Sequence, residues 1–404
     1  MRHVVIVGAS LAGLQAAQTL RRADADLAIT MIGAEAHLPY DRPPLSKHFL
    51  AGEWEEEKLR LRAAADPDAL GVTWKLGVAA SGLSLDDHEV SLADGSTVGY
   101  DGLVLATGAL TRSLPGADVE GVHVLRTLDD AIALRDHFDA GPSHVVVIGA
   151  GFIGAEVAAT ARERGLQVTM IEAAETPLAR VLPAEAGNQI TELHRSHGVD
   201  VRLGTGASLR SENGVVAGVE FDDGTLLDAD LVVIGIGVVP ATNWLVTSGL
   251  TIDNGIVCDR TCLAAPGVVA AGDVARWPNE RFGGELTRVE QWDNAVEQGG
   301  YAARRLLAWA ADETIEPYTP VPWFWSDQYD RKIQLAGVPS GRSELVQGTF
   351  AEQRFVQIFL DDADGLVGAL TWNRPRQAIQ SRQLITRGAS ADEARTTLAP
   401  PPDA

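Results

Sequence analysis

Thiols are scarce in this sequence. Its only two cysteines, Cys258 and Cys262, are spaced C-x3-C, which matches neither the C-x-x-C of a dithiol redox centre nor a zinc ribbon. The segment around Gly255-Ile256-Val257-Cys258 reads as a strand, so both are expected to be structural. No set of residues has metal-ligand spacing, and no metal is expected. Basic residues are also few: 33 Lys and Arg face 55 Asp and Glu, a formal charge of −22. Such a field argues against general binding of nucleic acid or anionic membrane. No apolar run approaches the roughly 18 residues of a membrane helix, and the run after Met1 is too short for a signal peptide. A cytoplasmic location is the default expectation. Low-complexity tracts are missing apart from the tail 399–404 with its three prolines, which is expected to fray.

What is present is glycine, 41 residues of it, placed twice in the same grammar. Val4-Val5-Ile6-Val7 is a β-branched run of the kind buried on both faces of a parallel sheet. It opens onto Gly8-Ala9-Ser10-Leu11-Ala12-Gly13 and a helical pattern through Leu14, Ala17 and Leu20. In a G-x-G-x-x-G turn the first glycine makes the bend, the second admits a pyrophosphate and the third packs helix on strand. Here the second is Ser10, small enough to leave room at a helix N-terminus. A second strand, 27–32, leads to Glu35, placed to take the ribose hydroxyls of an adenosine.

About 140 residues later the pattern returns intact. His144-Val145-Val146-Val147-Ile148 opens onto Gly149-Ala150-Gly151-Phe152-Ile153-Gly154, a helix follows, and the strand 168–171 ends in Glu172. An acid at that strand end accepts bonds from both ribose hydroxyls and repels a 2′-phosphate, which favours NADH over NADPH. Arg180 is the residue that would argue the other way. Each unit carries a hairpin signal, at Asp94-Gly95 and at Asp223-Gly224. From about Pro320 the pattern changes to aromatic-rich strands followed by a helix near 376–387, a third and smaller α+β domain.

Several further motifs stand in one order: Pro39-Tyr40-Asp41-Arg42-Pro43-Pro44-Leu45-Ser46-Lys47, Leu105-Ala106-Thr107-Gly108, Ala270-Ala271-Gly272-Asp273-Val274 and Pro322-Trp323-Phe324-Trp325-Ser326-Asp327-Gln328. With the glycine turns they make the chain resemble, over nearly its whole length, the FAD- and NADH-dependent ferredoxin reductases of bacterial oxygenase systems. The resemblance implies an α/β protein with two Rossmann-like dinucleotide-binding domains, glutathione-reductase-like, and a C-terminal α+β domain. The expected division is 1–111 and 240–319 for FAD, 112–239 for NADH and 320–404 for the C-terminal domain.

By resemblance, Gly8, Ser10, Gly13, Glu35, Arg42, Lys47, Ala80, Ala106, Thr107, Gly108, Arg126, Asp273 and Trp292 belong to the FAD site. Gly149, Gly151, Ile153, Gly154, Glu172 and Gly237 belong to the NADH site. Lys47, Glu156 and Trp325 are the catalytic candidates, with an ion pair between Lys47 and Glu156 beside the nicotinamide and electron exit near Trp325. Read without the family, Asp273 is a helix cap, Lys47 a surface lysine, and Glu156 an acid in the first turn of its helix, favoured by the helix dipole. Arg126 suits a pyrophosphate because its guanidinium stays charged and donates two parallel bonds.

The implied reaction is hydride transfer from NADH to FAD, then single-electron steps to a 2Fe-2S ferredoxin serving a cytochrome P450 or a ring-hydroxylating oxygenase. An acidic ferredoxin would need a local basic patch, for which Arg304, Arg305, Arg331 and Lys332 are candidates. A disulfide reductase is disfavoured because no cysteine pair stands close after either glycine turn, and the only two cysteines sit near residue 260. An NADH oxidase or peroxidase usually carries a redox cysteine where this chain has Asp41-Arg42-Pro43-Pro44. The NADH oxidase and a non-enzymatic flavoprotein like apoptosis-inducing factor stay as the alternatives, and the oligomeric state is left open.

Overall fold

A computed structural model describes residues 1–62, 66, 68–179 and 181–399. Arg180 and the tail residues 400–404 lie outside the described residues, and so do the two expectations that fall on them. The chain divides into two compact units, the first made of Met1–Asp41, Glu57–Leu110 and Val239–Pro322, the second of Arg42–Glu56, Thr111–Val238 and Trp323–Ala404.

The first unit is built on a six-stranded sheet in which His3–Val7 lies between Gly102–Leu105 and Ala28–Gly33, parallel to both. Val4, Val5 and Ile6 are wholly buried, as a strand covered on both faces requires. Thr73–Leu76 extends one side of the sheet, and Val268–Ala270 extends the other. The strand Val268–Ala270 comes from about two-thirds of the way along the chain, so the unit is closed by sequence far from its glycine turn. Helix Leu11–Ala23 packs along helix Trp292–Ala310, and Ala12 is the close point. There a Cβ on Gly299 would lie 2.3 Å from the Ala12 carbonyl oxygen. The Asp94-Gly95 signal becomes the turn of a small antiparallel sheet, Ala80–Ser84, Glu89–Leu92 and Thr97–Gly99.

The second unit contains a five-stranded parallel sheet ordered Asp200–Leu203, Gln167–Glu172, His144–Ile148, Leu231–Ile234 and Val122–His123. Its hairpin signal forms the turn between Val215–Phe221 and Leu226–Asp228. The C-terminal part is a five-stranded antiparallel sheet with Arg331–Gly337, Leu366–Trp372 and Arg354–Leu360 inside, followed by helices Pro375–Thr386 and Ala391–Leu398. Helix Ala184–Ser196 turns Ala186, Ile190 and Leu193 into one core with Phe324, Phe355, Phe359 and Trp372. Burial of those rings, at about 25 cal/mol per Å² of apolar surface, fastens the C-terminal sheet to the parallel-sheet domain. No described helix is long and apolar enough to cross a membrane.

Candidate functional site

In the first unit the turn after His3–Val7 is set by two glycines. Gly8 has φ of +122°, and a Cβ there would lie 2.0 Å from the Ala106 carbonyl oxygen; a Cβ on Gly13 would lie 2.0 Å from that of Gly8. Both positions are closed to side chains by backbone. Ser10 is the N-cap of helix Leu11–Ala23, and its hydroxyl makes no capping bond, which leaves the first-turn amides for an anion. Glu35, beyond the end of the second strand, accepts a hydrogen bond from the Tyr40 hydroxyl at 2.5 Å. Thr107 donates to the Ala241 carbonyl at 3.0 Å and Gly108 accepts from the Ala241 amide, so the Ala106-Thr107-Gly108 segment is pinned beside Gly8. Ala80 opens the small antiparallel sheet, paired with Leu92.

Asp273 differs from expectation. No helix follows it: Gly272–Val274 is a single 3-10 turn capped by Ala271, and strand Ala275–Pro278 begins at once. Ala275 and Trp277, two residues apart, are buried in the core beneath while Arg276 and Pro278 are only partly buried, and that alternation is a strand's. The Gly272 amide donates to Gln298 Oε1 at 2.9 Å and Arg288 donates to the Asp273 carbonyl at 3.1 Å. Trp292 begins helix Trp292–Ala310 and donates its indole N–H to Asp41 at 2.7 Å.

The second unit repeats the turn. Gly149 has φ of +104° and would carry a Cβ 2.4 Å from the Gly235 carbonyl oxygen; a Cβ on Gly154 would lie 2.0 Å from that of Gly149. Gly151 is different: its nearest atom is 3.7 Å away, and Gly237, at φ of +98°, has nothing within 4 Å. A Cβ at Gly151 would thus meet only ordinary van der Waals contact, and one at Gly237 only open space. Ile153 stays 44% exposed on the first turn of its helix. The Glu172 carboxylate is held on both oxygens, by the Ala150 amide at 2.8 Å and the Ala174 amide at 3.0 Å. It is thereby fixed at the strand end beside the glycine turn.

Glu156 sits on helix Phe152–Glu163 beyond the first turn, which holds no acid. The glycine turn runs through Gly151 as N-cap, so Glu156 is the fifth helical residue and the dipole argument does not apply. It is 3% exposed and accepts from Lys47 Nζ at 2.7 Å, Ser46 Oγ at 2.5 Å and Ser326 Oγ at 2.7 Å. One helical turn on, Thr160 donates to the Ser46 carbonyl at 2.8 Å, so the i and i+4 positions of one face hold the same segment. Lys47 is 13% exposed and paired, not the free surface lysine its surroundings in sequence suggest. Arg42 donates to the Arg126 carbonyl at 2.5 Å, which brings those two candidates together.

Trp325 lies on strand Trp323–Gln328, whose alternation sends Phe324, Ser326 and Gln328 inward and leaves Trp323, Trp325 and Asp327 half-buried. The two indoles are 5.7 Å apart. Only Phe324 of the aromatic trio is core, against Phe152. Of the basic candidates, Arg331 and Lys332 pair with Asp330 and Asp327, and Arg305 donates to Thr261. Sequence reasoning passed over Ser46, Ser326, Gln328 and His194. The signal for Ser326 and Gln328 was available, since both are polar residues in the same alternating register as Phe324; His194 carried none.

Two backbone cradles at helix N-termini, each with an acid at the next strand end, suit two dinucleotides. The residues fit FAD and NADH by the chemistry of these donors and by the room for a Cβ at Gly151 and Gly237. A family model for the pyridine nucleotide-disulphide oxidoreductases matches residues 2–299, and one for the reductase C-terminal domain matches 323–399. The chain belongs to the pyridine nucleotide-disulphide oxidoreductases. It is 40% identical to rhodocoxin reductase of Rhodococcus erythropolis over 95% of this chain and 89% of that one. It is also 40% identical to the ferredoxin--NAD(+) reductase component of the anthranilate 1,2-dioxygenase system of Burkholderia cepacia, over 96% and 95%. The reductase in the covalent putidaredoxin reductase-putidaredoxin complex superposes with a TM-score of 0.89 at 36% identity, over 96% and 93%. The protein is thus an oxidoreductase with FAD and NAD(H) as its cofactors.

The disulphide of the family name has no counterpart here. Cys258 and Cys262 are free and buried. Burial raises the Cys258 thiol to about 12 and that of Cys262 well above its usual value. Both are thiols, not nucleophilic thiolates, at neutral pH.

Proposed function

We propose that this protein takes electrons from NADH and delivers them, one at a time, to a 2Fe-2S ferredoxin that serves a cytochrome P450 or a ring-hydroxylating oxygenase. One observation carries the reading. The chain has two dinucleotide cradles, and its only two cysteines are buried and protonated, so electrons entering from a nicotinamide have no internal dithiol to receive them and must leave for an external acceptor. The full-length likeness to reductases named for their ferredoxins supports that acceptor. When bound, the flavin supplies the conversion of a two-electron donor into single-electron steps.

The chain's own residues do the remaining work. Gly8, Ser10, Gly13, Glu35, Ala80, Ala106, Thr107, Gly108, Asp273 and Trp292, with Arg42 and Arg126, are assigned to FAD. Gly149, Gly151, Ile153, Gly154, Glu172 and Gly237 are assigned to NADH, with Glu172 setting its preference over NADPH. Lys47 and Glu156 are assigned to the place where the nicotinamide is met, their charges held in a site that excludes water. Trp325 is assigned to electron exit. Segments 1–111 and 240–319 form the FAD domain, 112–239 the NADH domain and 320–404 the C-terminal domain, and the protein acts in the cytoplasm.

The flavin-loaded enzyme is mixed anaerobically with NADH and then given oxidised ferredoxin and cytochrome c. The yellow colour is expected to bleach with NADH, and cytochrome c reduction is expected to be fast only with ferredoxin present. Equally fast electron delivery to oxygen without ferredoxin would replace the reading by an NADH oxidase.

A further inference from the structure

The Glu156 carboxylate lies at one end of a buried polar chain that reaches across strand Trp323–Gln328 to helix Ala184–Ser196. Ser326, Gln328 and His194 are each wholly buried. Ser326 Oγ is 2.7 Å from Glu156 Oε1, Gln328 Nε2 is 3.1 Å from Ser326 Oγ, His194 Nε2 is 3.1 Å from Gln328 Oε1, and the Tyr329 hydroxyl is 3.2 Å from His194 Nδ1.

Elementary donor counting orders this chain. A carboxylate only accepts, so the single hydroxyl proton of Ser326 goes to Glu156. Ser326 must then accept from Gln328, which turns the Gln328 amide N–H toward Ser326 and its carbonyl toward His194. His194 therefore carries its proton on Nε2, leaving Nδ1 to accept from Tyr329. Burial supports a neutral ring by lowering the His194 pKa to about 4. Every donor in the series points toward Glu156. Gln328 cannot pass a proton on without losing its amide form, so the chain transmits orientation, not protons.

We propose that Ser326 is a positioning residue for the Glu156 carboxylate and through it for Lys47, with Gln328 and His194 fixing the direction of the Ser326 hydroxyl. Lys47 and Ser46 grip only Oε2, and Ser326 alone of the three contacts Oε1. Without it the carboxylate is free to rotate about its last torsion, and the ammonium of Lys47 follows. The chemistry of the NADH domain thus depends on a hydroxyl lent by the C-terminal strand. This rests on the assignment of Lys47 and Glu156 to the nicotinamide site.

The test is a double-mutant cycle on flavin-loaded enzyme, with Ser326→Ala, Glu156→Gln and the two combined. Stopped-flow reduction by NADH is expected to slow about tenfold in Ser326→Ala, the scale of a lost hydrogen bond to a charged group, with the Kd for NADH held within about twofold. In the Glu156→Gln background Ser326→Ala should change the rate by less than about twofold. A second readout needs no turnover: the visible band of the bound oxidised flavin should shift in Ser326→Ala and shift no further in the double variant than in Glu156→Gln.

Equal effects of Ser326→Ala in both backgrounds, or a wild-type rate and spectrum in the folded variant, would overturn the proposal. Should Ser326→Ala lose its flavin, Gln328→Met carries the same cycle from one hydrogen bond further away, with a smaller effect in the same pattern. If the wild-type enzyme is not reduced by NADH, the proposed function fails, and the spectral cycle still decides whether Ser326 acts through Glu156.

Discussion

The two glycine turns answer each other position by position, and they part company at one position and one acid. Gly8 and Gly149 both hold φ beyond +100°, and Gly13 and Gly154 both sit 2.0 Å, measured from where a Cβ would be, from the first glycine's carbonyl oxygen. Those four are closed by the protein's own backbone, whatever ligand is bound. The middle position admits a side chain: it is Ser10 in one turn and Gly151 in the other, where a Cβ would come no nearer than 3.7 Å to the Gly235 carbonyl oxygen. The acids differ likewise, Glu35 engaged by a tyrosine hydroxyl and Glu172 by two backbone amides. The outer glycines are thus a requirement of packing, and the proposed function leaves the middle residue and the acid to set a ligand's identity.

The largest effect that separates these classes is expected at the outer glycines. Gly149→Ala places a Cβ 2.4 Å from backbone at φ of +104° and should cost about 3 kcal/mol or more, read by urea unfolding of the flavin-loaded enzyme. Gly8→Ala, with its 2.0 Å contact, should cost at least as much. A loss below about 1 kcal/mol at either would break the packing argument. Next comes the acid. Glu172→Gln should lower kcat/KM for NADH about tenfold and narrow its advantage over NADPH, whereas Glu35→Gln leaves the nicotinamide preference where it was. Loss of preference in both variants would erase the distinction between the turns. The smallest effect is the exchange of middle residues: Ser10→Gly and Gly151→Ser should each move stability by less than about 1 kcal/mol. Gly151→Ser alone should weaken NADH, measured as a few-fold rise in Kd by isothermal titration.

Much of this was legible because it is local. A β-branched run, a glycine turn and an amphipathic helix are each a few residues long, and their order is enough to place Gly8, Gly13, Gly149 and Gly154. The motif around Lys47 was legible only through resemblance, since a lysine among prolines says nothing of its partner 109 residues away. Where local reading failed, tertiary demand had won. The stretch after Asp273 reads as helix, yet the core takes Ala275 and Trp277 from one side, and a strand results. Glu156 reads as an acid near a helix start, yet it lies a turn further in and serves a buried pair.

By itself the sequence determined the class of fold, the number of nucleotide turns and the absence of a dithiol centre. Each of these depends on residue type at fixed short spacing, where sterics act directly. Only the tertiary structure decided which buried polar groups meet: that Glu156 takes Lys47, Ser46 and Ser326 at once, and that a histidine with no signal of its own stands behind them. Hydrogen bonds between side chains 109 to 170 residues apart have no period and no spacing to read. They arise because a buried carboxylate must be satisfied by whatever donors the packing of distant elements brings within reach.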